Sequence, residues 1–160
     1  MAADYGQLYI YSSAMRLSDE LDNPLLDALA DGTDSGRFVG VAPGLIDVMT
    51  PGQWNFETPV RLEVWSAEPA ADPDAWDHEV DVDLDVPDGT LALEPSGGGQ
   101  GIVTDVPPGS YRVRVSGRGF TALGFEGAEG DDSYRLQLWP ATGPEPPVLR
   151  KRWQGWDGYR

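Results

Sequence analysis

Residues 79–86 read Glu79-Val-Asp-Val-Asp-Leu-Asp-Val86, and this stretch decides the fold class. Carboxylates at 79, 81, 83 and 85 alternate with aliphatic side chains at 80, 82, 84 and 86. A strict period of two belongs to a β-strand and puts the four acids on one face and the four aliphatics on the other. The aliphatic face is therefore a core face. On the opposite face the carboxylates form a straight ladder with a spacing of about 6.6 Å. Two like charges about 7 Å apart repel by roughly 0.6 kcal/mol in water before salt screening, and Asp is a weak strand former. Two readings accommodate that cost. The ladder is a solvated outer face, on an edge strand where charge discourages pairing with another chain. Alternatively it is a surface for a cationic partner, because a regular row of negative charge imitates a nucleic-acid backbone to a basic protein and steers its association.

Other segments share the alternation. Val60, Leu62 and Val64 alternate with Arg61, Glu63 and Trp65, and Tyr111, Val113 and Val115 with Arg112, Arg114 and Ser116. Strands are expected over residues 7–12, 37–41, 45–49, 60–67, 79–86, 90–93, 101–106, 110–116 and 133–139. The 34 Gly and Pro residues fall at short intervals and interrupt long helices. One helix is expected near the N-terminus: Asn23 caps it, Pro24 takes the first helical position, Leu25, Leu26 and Leu29 share a face, and Gly32 ends it. The expected architecture is an all-β antiparallel sandwich of eight to nine short strands with one short helix. It forms a single domain over residues 1–143, followed by a Pro-led basic and aromatic tail over residues 144–160. Residues 68–77, 97–99 and 124–132 read as mobile loops or turns.

The chain has 160 residues, no cysteine, and 27 Asp and Glu against 11 Lys and Arg, for a formal charge of −16. A disulfide scaffold is excluded, and a chain of this length buries about 68–70% of its unfolded surface around one core. No apolar run reaches the roughly 18 residues a membrane span needs. The start has no basic region ahead of an apolar stretch, so the expected address is cytoplasmic. Strong negative charge argues against direct contact with nucleic acid or an anionic membrane. The charge is also clustered: residues 1–110 hold 21 carboxylates and three Arg, and the window 68–94 holds ten carboxylates and no Lys or Arg.

No catalytic residues, metal or cofactor are expected. Asp81, Asp83 and Asp85 match the opening of a calcium loop, but Val86 stands where the loop needs Gly and Ala92 where it needs a bidentate Glu. The single histidine, His78, has no nucleophile motif beside it and reads as an exposed spectator. Gly97-Gly98-Gly99 precedes a strand and lacks the context of a phosphate-binding loop. Trp54, Trp65 and Trp139 lie in or near strands and read as packed side chains. The tail carries Arg150, Lys151, Arg152, Trp153 and Trp156, a mixture of cations and aromatics. In an acidic protein its nearest partner is the chain's own acidic face, so it is expected to fold back or to dock on a second copy and build a homo-oligomer.

The segment from the alternating strand (residues 78–86), through residues 90–93, to Thr104-Asp-Val-Pro-Pro-Gly-Ser-Tyr-Arg-Val-Arg-Val115 resembles the central part of the competence protein J family of bacterial nuclease inhibitors. Ser133-Tyr-Arg-Leu-Gln-Leu-Trp-Pro140 follows, in a layout similar to that of small uncharacterised bacterial proteins. The resemblance implies an acidic protein that binds and inhibits a DNA-degrading partner. The expected function is that of a non-catalytic inhibitor or immunity factor for a basic nuclease or toxin. Glu79, Asp81, Asp83, Asp85 and Asp88 would form the contact, with Asp72, Asp74 and Asp77 as a rim. The rival reading is a structural or ligand-binding sandwich whose acidic face is only solvated, with the C-terminal aromatics contacting sugar or another subunit.

Overall fold

The computed structural model describes residues 6–12, 23–51, 58–96, 101–121 and 131–158. They form two five-stranded sheets and one helix. In chain order the elements are β1 (Gly6–Ser12), α1 (Pro24–Asp34), β2 (Val39–Ala42), β3 (Leu45–Thr50), β4 (Val60–Val64), β5 (His78–Val86), β6 (Thr90–Pro95), β7 (Ile102–Asp105), β8 (Gly109–Arg118), β9 (Ser133–Pro140) and β10 (Val148–Lys151). Sheet A has the order β2-β3-β1-β6-β7, and sheet B the order β10-β5-β8-β9-β4. Every pairing is antiparallel except β4 with β9.

The sandwich expectation holds, and nine of the ten strands match expected ones to within a few residues. The tenth, β10, lies in the stretch read as a tail and adds to the free edge of β5. The core follows the alternation. Val80, Val82, Leu84 and Val86 of β5 pack with Val113 and Val115 of β8 and Leu136 and Leu138 of β9, against Ile10, Ile46, Val48, Leu91 and Leu93 of sheet A. Burying a side chain of this kind is worth about 1.5–3 kcal/mol, so the inner faces of the two sheets supply the main driving force.

Helix α1 begins as expected, with Asn23 Oδ1 accepting from Leu25 N at 3.1 Å and Pro24 at its first position. It does not stop at Gly32 but runs on to Asp34. Gly32 instead serves packing: α1 lies so close to β2 that a Cβ at Gly40 would overlap the Ala28 carbonyl, and a Cβ at Gly32 would meet Gly40 N at 2.9 Å. Between helix and sheet, Phe38 sits at φ 55°, a left-handed conformation that costs a non-glycine residue about 1–3 kcal/mol. The ring of Trp156 stacks on it at 4.0 Å between centroids and 4° between planes.

Gly40→Ala should lower the unfolding free energy by at least about 2 kcal/mol, read as a drop in the urea midpoint, because the helix must lift from the sheet to admit one methyl. A midpoint unchanged from wild type would show that the close approach is not required.

Candidate acidic interface

The order of sheet B determines the surroundings of the ladder. β5 lies inside the sheet, between β8 and β10, so it is not an edge strand. Its register with β8 puts Asp81 opposite Arg114 and Asp83 opposite Arg112. The ladder thus faces a second ladder of opposite sign at the same two-residue spacing, and cross-strand pairs of opposite charge stabilise where like charges would not.

Glu79 and Asp81 are buried, and so is Arg114, at 0% exposure. Arg114 donates to Asp81 from Nε at 2.9 Å and from Nη2 at 3.1 Å, and Nη2 also reaches Glu68 at 2.7 Å. Glu79 accepts from Ser116 Oγ at 2.9 Å. Arg112 donates to Asp83 at 2.8 Å and to the carbonyls of Glu145 and Pro146. The Leu149/Lys151 irregularity in β10 brings Arg150 Nε onto Asp81 Oδ2 at 2.5 Å, in keeping with the way bulges re-aim side chains.

Two connections cover this charged face. The link from β4 to β5 joins parallel strands and has to cross β9 and β8. Its carboxylates land on arginines: Glu68 on Arg114 and Arg150, and Asp72 on Arg135 through two hydrogen bonds. The guanidinium groups of Arg135 and Arg118 stand over the Trp76 ring, 4.4 Å and 5.2 Å from its centroid. The link from β9 to β10 joins antiparallel strands and passes β8 and β5, with Glu145 N donating to Asp83 Oδ2 at 2.8 Å. Between the two links a cleft of about 440 Å³ opens, with Asp81, Arg112 and Trp139 among its lining residues. Residues 68–77, expected to be a mobile loop, are therefore pinned to the sheet by ion pairs.

The expected contact residues separate into two groups. Glu79 and Asp81 are enclosed, Asp83 is held by Arg112 and the Glu145 amide, Asp77 accepts from Phe120 N, and Asp72 is engaged by Arg135. Asp85, opposite Ser110, is exposed. Asp88 is exposed too and accepts from Ser12 Oγ and Thr90 N, and Asp74 is exposed in a short 3-10 turn. The reading of the whole ladder as a solvated face is corrected: its first half is an internal salt-bridge layer. The missed signal is Arg112 and Arg114 at the matching spacing on the next long strand, invisible as partners until the register is known.

The tail residues all meet their own chain. Arg150 binds Asp81 and Glu68, Lys151 Nζ donates to the carbonyls of Pro73 and Trp76, and Arg152 pairs with Asp157. Trp153 N donates to His78 Nδ1 at 3.3 Å, and Trp156 is buried against Phe38. A sugar platform at Trp156 is thereby excluded. His78 is not the exposed spectator expected. It points to the core side of β5, Nε2 donates to the Arg37 carbonyl at 2.6 Å, and Phe120 and Trp156 flank it. Burial drives its pKa down to about 4, and the Arg152 charge adds to the fall. Trp65 is 45% exposed and so is not packed as expected, whereas Trp139 is buried. Trp54 and Gly97-Gly98-Gly99 lie outside the described residues, as does most of 124–132.

One carboxylate that the sequence did not single out is equally perturbed. Asp47 of β3 is fully buried on the outer face of sheet A, where burial raises its pKa to about 6 despite a 2.7 Å hydrogen bond from Gln7 Nε2.

Fold and site define an all-β sandwich with one short helix, in which Asp81 and Asp83 of an acidic strand are paired with arginines of the same sheet. Among solved structures, the chain is similar to ComJ, inhibitor of the DNA degrading activity of NucA, from Bacillus subtilis: 16% identity, TM-score 0.55, 84% of this chain and 88% of that one. It is also similar to the protein described as crocagin biosynthetic gene J, at 18% identity and TM-score 0.52, covering 84% of this chain and 90% of that one. These likenesses show a shared fold and agree with the resemblance noted in the sequence. No family model and no curated protein matches the chain. No helix among the described residues is long and apolar enough to cross a membrane.

Arg114→Met should cost about 3–5 kcal/mol in urea unfolding, because it leaves buried Glu79 without a cation and buried Asp81 with Arg150 alone. Arg61→Met, which removes an exposed arginine from a half-buried Glu63 that Gln137 and Trp65 still hold, should cost under about 1 kcal/mol. Equal losses would rule out a special role for the buried pair.

The two perturbed groups have opposite pH signatures. His78 has a folded pKa of about 4, below its ordinary 6.5. The unfolded chain therefore binds more protons in that window, and the His78 contribution, about 3 kcal/mol, is full above pH 6.5 and lost as pH falls toward 4. Asp47 has a folded pKa of about 6, above its ordinary 3.8, so its contribution is present below pH 3.8 and lost as pH rises through 6. Relative to wild type, His78→Gln should remove the rising component and Asp47→Asn the falling one, measured by urea midpoints from pH 4 to 7. Parallel curves for either variant would contradict the assignment.

Proposed function

We propose that this chain is a non-catalytic protein-binding inhibitor that neutralises a basic nuclease or toxin. The observation that carries the reading is the division of its acids. Asp81 and Asp83 of the β5 ladder are matched by arginines of their own sheet, while Asp85 and Asp88 at the end of β5 and in the turn that follows stand exposed. An exposed cluster of one sign steers a cationic protein and repels nucleic acid and anionic lipid. The fold of ComJ, an inhibitor of a DNA-degrading activity, supports the same class of action. In this reading Asp85 and Asp88 lead the contact, Asp83, Asp74 and Asp72 contribute from the rim, and the enclosed Glu79, Asp81 and Asp77 hold the scaffold that presents them. The protein acts in the cytoplasm by occupying its target, with no metal or cofactor.

Affinity capture from the source cells at low and high salt, followed by a DNA-degradation assay, tests this. A basic protein should be retained at low salt, and its DNA cleavage should fall as the chain is added. Captured proteins without nuclease or toxin activity, or activity indifferent to the chain, would sink the proposal.

A further inference from the structure

Sheet A differs from sheet B in one elementary respect: its five strands contain no Lys or Arg, whereas those of sheet B contain seven. Sheet A carries Asp47, Glu94 and Asp105, and none of these makes an ion pair among the described residues. Helix α1 packs on β2 and β3 and leaves the outer face of β1, β6 and β7 to other side chains. There the register aligns Asp47, Tyr9 and Glu94 in one row, and Leu45, Tyr11, Ala92 and Val103 in the next. Hydrogen bonds tie the rows together: Tyr11 Oη donates to Glu94 at 2.7 Å, and Tyr9 Oη to Gln7, which in turn donates to Asp47.

This face has the composition of a protein interface, with aromatic and aliphatic groups at its centre and polar groups at its rim. Tyr9 and Tyr11 are partly exposed, and Val103 is 68% exposed on the terminal strand of the sheet. Asp105 pairs with Thr90, whose amide donates to Asp88, so the acidic rim continues around the end of the sandwich to Asp85. Beside Tyr9 in that row Asp47 is buried, with Oδ2 bonded to Gln7 and Oδ1 without a hydrogen-bond partner among the described residues. No cation among the described residues pairs with this carboxylate, which makes the face attractive to positive charge.

We infer that the outer face of β1, β6 and β7, with Tyr9, Tyr11 and Val103 at its centre and Glu94, Asp105 and Asp88 at its rim, is the docking surface for a cationic protein. The inference rests on the protein-binding reading above for the class of partner and extends the contact from Asp88, which the two surfaces share, onto the outer face of sheet A. A second copy of the chain would bring like charges together, and nucleic acid or an anionic membrane would be repelled.

The direct test titrates the full chain with a deca-arginine peptide at low salt and follows the backbone amides by NMR. Shifts should concentrate at Tyr9, Tyr11, Glu94, Val103 and Asp105, and should disappear in the exposed-site variant Glu94→Lys/Asp105→Lys, whose melting temperature reports that it is folded. Shifts centred on β5 and β8, or spread evenly over the chain, would overturn the inference. In the nuclease assay Val103→Lys should weaken suppression by at least about tenfold, and unchanged suppression would also overturn it. If the wild-type chain suppresses no nuclease, the functional proposal fails while the peptide titration still decides the surface.

Discussion

Arg114 is the group on which the outer half of the molecule depends. A guanidinium with no exposed surface is tolerable only if its donors and the charges around it are matched, and Asp81, Glu68 and the Pro69 carbonyl provide that match. The same contacts bind three distant parts of the chain: β8 through Arg114, β5 through Asp81, and the β4 to β5 link through Glu68. Arg150 then attaches β10 to the same carboxylates. An apolar replacement of the whole group can be as stable, but removal of one member leaves a buried charge. The network thus fixes how the chain wraps sheet B more than it adds net stability.

The charge of −16 takes on a different meaning in this light. The most acidic window of the chain supplies carboxylates to its most basic sheet, because the parallel relation of β4 to β5 forces the link between them across β8 and β9. Acids that look concentrated for an external partner are largely spent inside. The excess negative charge is then carried by residues on the α1 side and around the turn after β5, and sheet A, without a single cation in its strands, is the less compensated half.

Much of the fold was legible in the alternation of residues 60–64, 79–86 and 111–115, because the pleat of a strand is a local property that any apolar and polar periodicity must obey. The N-cap at Asn23 was legible for the same reason. β10 was not: its residues Val148-Leu-Arg-Lys151 show no clean alternation, and their pairing with β5 comes from the far side of the sheet. Gly32 was misread because a glycine that ends a helix and one that lets a helix touch a sheet look alike without the third dimension. His78 looked exposed between two acids, although its parity with Val80 already assigned it to the core side.

The sequence by itself determined that β5 has an acidic and an apolar face, since alternation follows from backbone geometry alone. Only the tertiary structure decided what that acidic face meets. Register and strand order depend on long-range packing, and they set Arg114 against Asp81, Arg112 against Asp83, and Ser110 against Asp85. Four carboxylates of identical local pattern therefore end in different states, from fully enclosed to fully available.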